Sequence, residues 1–541
     1  MSEYDRWLEN AKDEEVREEL LSIKGKDGEI EDRFYRELSF GTGGIRGVIG
    51  AGTNRMNVYT VARATFGLAE YLKSIGGDSV VIAYDSRHKS REFARLSAEV
   101  LSYNGIKAYL FSELTPTPVL SFAVRYLKAS AGIVITASHN PKQYNGYKVY
   151  NSLGCQITDA AAAAVTKEIE KFDYFNFFAA DDSLIEVLNG EVEDAFISAV
   201  KELSYGDEKN EKNVSVVYSP LHGTGRKYVQ RILSETGIKE VYTVKEQEMP
   251  DGDFTTCPYP NPEEREALGL ALLYAEKYKP DLVFATDPDA DRIGIAVPNE
   301  NGEYLLLNGN RTGSILLYYM LIKRRETGKP CQGAAAVKTI VTTDVAFDIA
   351  KEFGIEVREV LTGFKYIGEE MEKLDDFVMG MEESYGYLVG KHARDKDAVS
   401  AAMMIASACA YFKQKGKSLI DVLNEIDDKY GYYETELKSI TFSGKDGMEK
   451  MKEIMSDLRQ NPIEEIDGQK LTFDDFSNGL YSLPKSDVLR FKNDACRLII
   501  RPSGTEPKIK IYFQAKAKDA SSAKSLVSRL KEIIENRINA H

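Results

Sequence analysis

The feature that most constrains the fold is an alternation of short apolar runs with helical patterns, which restarts twice along the chain. Residues 80–84 and 132–135 are typical of buried strands, and residues 91–103 between them are typical of a helix. Similar units begin near Val214 and Ala334, although no sequence repeat is clear. Strands that alternate with helices in this way predict parallel sheets covered by helices.

The last hundred residues follow a different pattern. Predicted strands at 488–491, 496–500 and 509–514 are grouped between two predicted helices, which is typical of an α+β domain. The length of 541 residues corresponds to three or four domains at about 150 residues each. We therefore predict three similar α/β domains and a C-terminal α+β domain, with bounds at 1–205, 206–328, 329–432 and 433–541.

Charge and composition exclude several classes of partner. The chain has 70 Lys and Arg against 85 Asp and Glu, and this net charge of −15 disfavours nucleic acids and anionic membranes. No apolar run approaches the roughly 18 residues of a membrane span, and the acidic N-terminus does not resemble a signal peptide. The five cysteines are far apart and the five histidines do not pair at metal-ligand spacing. We expect a cytoplasmic protein with reduced thiols and small-molecule partners.

The segment IVITASHNP at residues 133–141 carries a candidate nucleophile. A buried strand leads directly into a polar loop with Ser138 and His139. Ligands of open α/β sheets bind at the carboxyl ends of strands, and an activated serine there can act as a nucleophile or a phosphate carrier. An ordinary turn is an equally good interpretation of these residues taken alone. The absence of a GxSxG motif disfavours a hydrolase elbow.

The segment DLVFATDPDADR at residues 281–292 carries a candidate metal site. Asp287, Asp289 and Asp291 alternate after a strand, so that their carboxylates can converge on one hard cation such as Mg²⁺. A solvated acidic turn is the alternative. An EF-hand does not fit, because Arg292 and Pro298 occupy the positions of its glycine and its last glutamate.

Three further segments carry weaker signals, and each alone is also consistent with an ordinary turn. FGTGGIRG at residues 40–47 lacks the pattern of a Walker or dinucleotide loop and presents one cation, Arg46. GMEESYG at 380–386 offers Glu382, Glu383 and Ser384 to sugar hydroxyls. IRPSGTEP at 500–507 offers donors to one phosphate from Arg501, Ser503, Gly504 and Thr505.

Taken in order, GTGGIRG, TASHNP, DPDADR, EESYG and RPSGTEP resemble the α-D-phosphohexomutases, the phosphoglucomutase and phosphomannomutase superfamily. The resemblance covers nearly the whole chain, and TASHNP followed by DxDxDR is its most specific part. It implies an intramolecular phosphotransferase whose three α/β domains have mixed, mainly parallel sheets and surround a central cleft with the C-terminal domain. It also implies Mg²⁺ as cofactor and a sugar 1,6-bisphosphate as activator.

Carried over position by position, the resemblance implies a role for each matching residue. Ser138 would carry the phosphoryl group and bind Mg²⁺ together with Asp287, Asp289 and Asp291. Lys148 would act as general acid and base, His139 would orient the nucleophile, and transition-state charge would be stabilised by Arg46 and Arg292. The residues implied in substrate binding are Thr362, Gly363, Glu382, Ser384, Lys396, Arg501, Ser503, Gly504 and Thr505. The match of Lys396 is weaker, because Ala398 replaces the glycine of the family motif.

The identity of the sugar is a separate question. The EESYG loop and the long N-terminal lead are similar to the branch of phosphoglucomutase-2, phosphopentomutase and bacterial phospho-sugar mutases. We therefore expect interconversion of glucose 1-phosphate and glucose 6-phosphate by a monomer or homodimer, with pentose and mannose phosphates open. A phosphatase of the haloacid-dehalogenase type, with Asp287 as nucleophile, is the alternative enzyme, and a sugar-phosphate sensor is the non-enzymatic one.

Overall fold

The protein is described by a computed structural model that covers residues 2–41, 43–205, 212–442, 446–503 and 507–540. Three helices precede the first sheet: α1 (Glu3–Asn10), α2 (Glu14–Ser22) and α3 (Asp27–Phe34). The buried residues Trp7, Val16 and Leu20 of these helices form an apolar cluster with Tyr174. In the chain, Tyr174 lies between the fifth and sixth strands of the first sheet. The N-terminal lead therefore packs on the first α/β unit.

The first sheet has six strands in the order β1-β5-β4-β2-β3-β6. These strands are β1 (Ile45–Val48), β2 (Ser79–Tyr84), β3 (Lys107–Phe111), β4 (Ala131–Ile135), β5 (Tyr144–Asn151) and β6 (Ile185–Leu188). The accompanying helices are α4 (Val58–Ser74), α5 (Ser90–Tyr103), α6 (Thr117–Tyr126), α7 (Asp159–Ile169) and α8 (Glu191–Lys201). Every residue of β2 is buried, as expected for a central strand with helices on both faces.

The second sheet has the order β11-β10-β9-β7-β8 and the third the order β13-β12-β14-β15. The strands of the second are β7 (Lys212–Ser219), β8 (Ile238–Thr243), β9 (Leu282–Thr286), β10 (Ile293–Pro298) and β11 (Tyr304–Leu307). The strands of the third are β12 (Ala334–Thr339), β13 (Glu356–Val360), β14 (Asp376–Glu382) and β15 (Gly386–Val389). The helices of both are α9 (Gly225–Glu235), α10 (Lys245–Glu248), α11 (Gly269–Tyr278), α12 (Gly309–Glu326), α13 (Val345–Phe353), α14 (Phe364–Glu372), α15 (Ala398–Gln414) and α16 (Leu419–Tyr430).

The three sheets share one four-stranded core. The orders β5-β4-β2-β3, β10-β9-β7-β8 and β15-β14-β12-β13 are equivalent, and in each the first strand is antiparallel to the second while the other three are parallel. This confirms the prediction of three similar α/β units with mixed, mainly parallel sheets. The antiparallel strands β5, β10 and β15 were not predicted. Each begins directly after one of the motif loops.

One predicted helix is shorter than expected. The sequence pattern of residues 262–278 predicts one helix, but the structure has a helix only from Gly269 onwards, and residues 262–268 form turns and a bend. The amides of Ala267, Leu268 and Gly269 each donate to the carbonyl three residues earlier, which is the pattern of successive turns and not the four-residue spacing of an α-helix. The turn segment is therefore available to line a cleft.

The last sheet is antiparallel throughout, with the order β16-β22-β21-β20-β19. The strands of this unit are β16 (Tyr432–Thr441), β17 (Glu465–Ile466), β18 (Gln469–Lys470), β19 (Thr472–Asp475), β20 (Leu489–Lys492), β21 (Cys496–Pro502) and β22 (Lys508–Ala517). Its helices are α17 (Gly447–Gln460) and α18 (Ala520–Asn539). The predicted C-terminal α+β unit is confirmed.

Helices connect the units as well as covering them. Helix α15 is buried on nearly all sides and packs on α9 and β7 of the second unit and on β15 of the third. Elements on the two sides of each predicted domain boundary are in contact: α8 with α9 across residue 205, α12 with α13 across residue 328, and α16 with β16 across residue 432. These contacts do not separate the units at the predicted residues, so the domain bounds stay predictions. Even the apolar α15 does not qualify as a membrane span, and among the described residues no helix is both long and apolar enough for one.

Candidate functional site

The three motif loops occupy the same place in the three α/β units. TASHNP connects β4 to β5, DPDADR connects β9 to β10, and the short turn after Glu382 connects β14 to β15. The loops also touch one another: the Ser138 hydroxyl donates to Asp287 Oδ2 at 2.7 Å, and the Ile293 amide donates to the Tyr385 carbonyl at 3.2 Å. The loop between the last parallel strand and its antiparallel neighbour thus contributes to the same site in all three units.

Ser138 is buried, and its backbone is in the left-handed region at φ 51°. Its amide donates to Thr136 Oγ1 at 2.8 Å, and its hydroxyl lies 3.3 Å from His139 Nδ1. Burial, together with the charges of Arg292 and Arg46, lowers the pKa of His139 to about 2. The imidazole is therefore neutral, and it can orient the serine hydroxyl without adding charge.

Asp287, Asp289 and Asp291 are buried, and one oxygen atom from each lies within 4.8 Å of the others. Burial and its two carboxylate neighbours raise the pKa of Asp287. Burial also opposes ionisation of Asp289, but its contact with Lys148 outweighs burial and lowers the pKa. Within the described parts of the chain, Asp289 Oδ1 and Asp291 Oδ1 have no hydrogen-bond partner. Buried carboxylate oxygens without donors are suited to Mg²⁺, so the residues present fit this ion.

Cationic side chains surround the three carboxylates. Lys148 Nζ lies 2.8 Å from Asp289 Oδ2, and Lys396 Nζ lies 3.1 Å from Asp291 Oδ2. Arg292 Nη1 donates to Glu263 Oε1 at 2.7 Å. Arg292 Nε also lies 3.8 Å from Asp291 Oδ1. Three of the predicted cations are therefore next to the candidate metal site, and one of them is Lys396, despite its weaker motif.

Arg46 approaches the serine loop from β1. This strand pairs with β5, and Arg46 Nη1 donates to Asn140 Oδ1 at 3.1 Å in the loop that follows Ser138. The side chain is otherwise exposed to the cleft. Its position is compatible with charge stabilisation close to Ser138.

The third unit contributes a polar pocket at the end of β14. Glu382 is buried, and its Oε1 accepts the amide hydrogen of Gly363 at 3.0 Å, directly before α14. Burial raises the pKa of Glu382 and, together with Glu382 itself, raises the pKa of Glu383 to about 7. Thr362 Oγ1 is buried without a hydrogen-bond partner among the described residues, and Ser384 lines the same cleft.

The fourth unit contributes a cluster of cations on β21 and β22. Arg501 faces Lys510 in the register of these strands, and Lys508 lies on the same cleft wall. Burial and the two neighbouring cations lower the pKa of Lys510. The Ser503 amide donates to the Lys508 carbonyl at 2.7 Å. Gly504 and Thr505 lie outside the described residues.

All four units enclose one cleft of about 720 Å³. The predicted site residues on its surface are Arg46, Ser138, His139, Lys148, Asp291, Arg292, Thr362, Gly363, Glu382, Ser384, Lys396 and Arg501. Asp287 and Asp289 lie behind this surface. The cleft residues that the sequence analysis did not identify include Tyr259, Asn261, Glu263, Glu264, Asn310, Lys508 and Lys510.

Two signals could have identified part of this missing set. Lys508 and Lys510 alternate with Ile509 and Ile511, and this period of two predicts that the lysines share one face of a strand. The three alternating prolines of PYPNPEE indicate a turn rather than a helix, and Glu263 lies in that turn.

Comparison with known proteins agrees with the fold and with the position of the site. Family models of the phosphoglucomutase/phosphomannomutase group match four successive parts of the chain: α/β/α domain I at residues 37–175, domain II at 194–302, domain III at 308–430 and the C-terminal domain at 443–533. A phosphoglucomutase of Staphylococcus aureus (strain bovine RF122 / ET3-1) is 37% identical over 534 residues, which is 94% of this chain and 95% of that protein.

Solved structures show the same fold at lower identity. A phosphoglucomutase/phosphomannomutase family protein from Burkholderia thailandensis superimposes with a TM-score of 0.69 at 18% identity, over 92% of this chain and 97% of that one. Parafusin, a phosphoglucomutase from Paramecium in its open form, gives a TM-score of 0.72 at 18% identity, over 93% and 96%. The repeated units and the shared cleft are those of a four-part sugar-phosphate mutase. The chain belongs to the phosphoglucomutase/phosphomannomutase family.

Proposed function

We propose that the protein is a phosphoglucomutase that interconverts glucose 1-phosphate and glucose 6-phosphate through a phosphorylated Ser138. The observation that carries this proposal is the contact of 2.7 Å between the Ser138 hydroxyl and Asp287, at the wall of a cleft enclosed by all four units. This contact joins the candidate phosphate carrier to the candidate metal site.

The proposed reaction moves phosphoryl groups between Ser138 and the sugar. The phosphoryl group leaves Ser138 Oγ and bonds to the free hydroxyl oxygen of the sugar monophosphate, and the proton of that hydroxyl passes to Ser138 Oγ. The product is a sugar 1,6-bisphosphate, which then reverses its orientation within the cleft. The other phosphoryl group of the bisphosphate then bonds to Ser138 Oγ, and the proton of the Ser138 hydroxyl passes to the vacated sugar oxygen. The enzyme ends as it began, and the substrate leaves as its isomer.

The chain's own residues support each part of this scheme. Ser138, Asp287, Asp289 and Asp291 would hold Mg²⁺, which when bound supplies positive charge for the transferring phosphoryl group. Lys148 is the proposed proton carrier, and Asp289 fixes its ammonium group at 2.8 Å. His139 orients Ser138 Oγ, and charge on the transferring group is stabilised by Arg46 and Arg292.

The phosphate that is not being transferred needs a second cationic site. We assign this role to Arg501 and Ser503, with Gly504 and Thr505 of the same motif. The lowered pKa of Lys510 supports this assignment, because burial and neighbouring cations destabilise its charged form until an anion binds. Glu382, Ser384, Thr362 and Gly363 are the proposed contacts of the sugar hydroxyls, and Lys396 binds beside them.

Several wider features belong to the same proposal. Glucose 1,6-bisphosphate would act as activator, because it phosphorylates Ser138 of any enzyme that has lost its phosphate. We also propose a cytoplasmic location and a monomer or homodimer, with the four domains bounded at residues 205, 328 and 432. The absence of disulfides among the five cysteines is compatible with a reducing compartment.

Mapping the phosphoryl group tests the proposal. Enzyme incubated with glucose 1,6-bisphosphate should gain the mass of one phosphoryl group on the peptide that carries Ser138. Ser138→Ala should abolish mutase activity and the mass gain, while Ser183→Ala, in an exposed short 3₁₀ helix of the same unit, should change neither. A phosphorylated Asp287 would instead indicate the haloacid-dehalogenase type of phosphatase, and no covalent phosphate with no turnover would indicate a sensor.

The sugar preference needs a separate measurement. Initial rates with glucose 1-phosphate, mannose 1-phosphate and ribose 1-phosphate, each with its own bisphosphate, should give the highest kcat/KM for glucose. A higher value for ribose or mannose would contradict the substrate while leaving the mechanism intact.

A further inference from the structure

The serine loop rests on a buried arginine that belongs to none of the five motifs. Arg87 follows β2, and its side chain is fully buried. Its Nη1 donates to the carbonyl oxygens of Pro141 at 2.9 Å and Tyr144 at 3.2 Å. Its Nη2 donates to the carbonyl oxygens of Ser138 and Asn140. One guanidinium group therefore binds four backbone carbonyls of the loop that carries the nucleophile.

Asp85 completes this support from the other side of Ser138. Its Oδ2 accepts the Thr136 hydroxyl at 2.6 Å and forms an ion pair with Arg87 Nε at 3.2 Å. Thr136 Oγ1 in turn accepts the Ser138 amide at 2.8 Å. The amide of Ser138 is thus connected to Asp85 through Thr136, and its carbonyl is bound by Arg87. Both ends of the residue are tied to one buried ion pair.

Ser138 needs such support because its conformation is unfavourable. A non-glycine residue at φ 51° lies in the sparsely populated left-handed region, where the surrounding structure must hold it. The aromatic ring of Phe254, in the second unit, packs against the Arg87 guanidinium group, and the ring centre lies 5.0 Å from the guanidinium carbon. Lysine could not replace the arginine, because only a planar guanidinium offers several donors in fixed directions.

We propose that Arg87 is a positioning residue, which acts with Asp85 and Thr136 to hold Ser138 in the conformation that directs its hydroxyl at Asp287. The inference rests on the proposed phosphoserine mechanism. Arg87 is not part of the cleft surface, so it binds no substrate. Its contribution therefore belongs to the transfer step and not to substrate binding, and its loss should lower kcat while KM is unchanged.

A merely structural role predicts a different outcome. An arginine that only stabilises the fold would lower the melting temperature and the yield of active enzyme, and the kcat of each folded, phosphorylated molecule would stay normal. Kinetics corrected for the phosphorylated fraction, which intact-mass analysis gives, separate the two roles.

The first variant to test is Arg87→Lys. Its matched control is Arg324→Lys, because Arg324 is also buried, donates to the Pro330 carbonyl at 2.7 Å and pairs with Asp376 far from the serine loop. We expect kcat of Arg87→Lys to fall 10- to 100-fold, or about 1.4–2.7 kcal/mol, with KM for glucose 1-phosphate within twofold of wild type. The control should keep its kcat at a comparable loss of melting temperature.

A second pair of variants keeps the proposal testable if Arg87→Lys does not fold. Thr136→Val preserves the shape of the side chain and removes the hydroxyl that joins Ser138 to Asp85, while Thr136→Ser retains that hydroxyl. We expect the loss of kcat in Thr136→Val and its recovery in Thr136→Ser.

Two results would overturn the inference: an unchanged kcat in both Arg87→Lys and Thr136→Val, or equal losses in Arg87→Lys and Arg324→Lys. An unphosphorylated, fully active wild type would instead overturn the proposed function itself.

Discussion

We expect the loss of Arg497 to weaken the attachment of the fourth unit to the third more clearly than the loss of other residues. It lies on β21 and is buried, and its Nη1 donates to Asp344 Oδ1 at 2.6 Å. Its Nη2 donates to the Thr342 carbonyl at 2.6 Å, and Glu359 lies 3.3 Å away. Lys338 also contacts both carboxylates, at 3.0 Å and 2.7 Å. The result is a buried ion network across the boundary of two units.

Replacement by methionine keeps the chain length of the side chain and removes its charge. Asp344 would then lose its nearest cation and keep Lys338 at 3.0 Å, while Glu359 would keep Lys338 at 2.7 Å and Arg490 at 3.1 Å. Removing one partner from a buried ion pair costs about 3–5 kcal/mol, and because Asp344 keeps Lys338 we expect the lower end of this range, about 3 kcal/mol. For a unit of about 100 residues this corresponds to a fall in Tm of roughly 12 °C or more.

The pH dependence of this loss gives an independent check. Burial raises the pKa of Asp344, but Arg497 and Lys338 outweigh burial and hold the pKa below its usual range. A carboxyl group with a depressed pKa stabilises the folded state above its unfolded pKa of about 4, and this contribution is lost as the pH falls below that value. The difference in Tm between wild type and variant should therefore be complete at pH 7 and smaller at pH 3.

Differential scanning calorimetry and hydrogen exchange of β21 and β22 measure the effect. The control is Arg529→Met, which removes an exposed ion pair with Asp467 in the same unit and should cost about 0–1 kcal/mol. Arg497→Met should also raise KM, because Arg501 lies on the same strand. If Arg497→Met matched Arg529→Met in both Tm and KM, the ion network would not hold the two units together.

Three further predictions concern the cleft. Chelation with EDTA should abolish turnover, and excess Mg²⁺ should restore it, with a higher Mg²⁺ requirement in Asp289→Asn; a rate unaffected by EDTA would contradict the carboxylate site. Arg501→Ala should lower kcat/KM about 30- to 1,000-fold, or about 2–4 kcal/mol, mainly through KM; unchanged steady-state kinetics would remove the fourth unit from the site. Burial and Glu382 raise the pKa of Glu383 to about 7. The wild type should therefore lose stability as the pH rises from about 4.5 to 7, while Glu383→Gln should not lose this contribution. Equal thermal denaturation curves for both proteins at pH 5 and pH 8 would refute this.

The sequence predicted the motif loops well because each lies at the end of a strand. Ligands of open α/β sheets bind at the carboxyl ends of strands, so the Ser138 loop and the aspartate loop could each be identified from the sequence. That the two loops meet was implied only by the resemblance to the α-D-phosphohexomutases, because β4 and β9 belong to different sheets. The repeated order of elements likewise predicted three similar units. Among the missed antiparallel strands, β5 is polar and β15 has only four residues, whereas the apolar run of β10 is a strand signal that the sequence analysis did not use.

The positioning residues could not be predicted in the same way. Arg87 lies in a polar turn, DSRHKS, that is typical of an exposed loop. It is buried only because the carbonyl groups of residues 138–144, more than fifty positions later, converge on it. The same holds for Arg497, whose partners on the third unit lie about 140 to 155 residues earlier in the chain. Contacts of this length have no local pattern in the sequence.

The three hairpins share a backbone feature that explains why one fold could supply three kinds of chemistry. Each contains a non-glycine residue in the left-handed region: Ser138 at φ 51°, Ala290 at 51° and Tyr385 at 63°. A left-handed residue turns the chain sharply between an inner strand and its antiparallel neighbour, so that side chains next to the turn face the cleft. Such residues cost about 1–3 kcal/mol each and persist only where the surrounding structure fixes them. The repeated sheet provides that fixed frame, and the residues at its turns could then diverge into a phosphate carrier, a metal site and a sugar site.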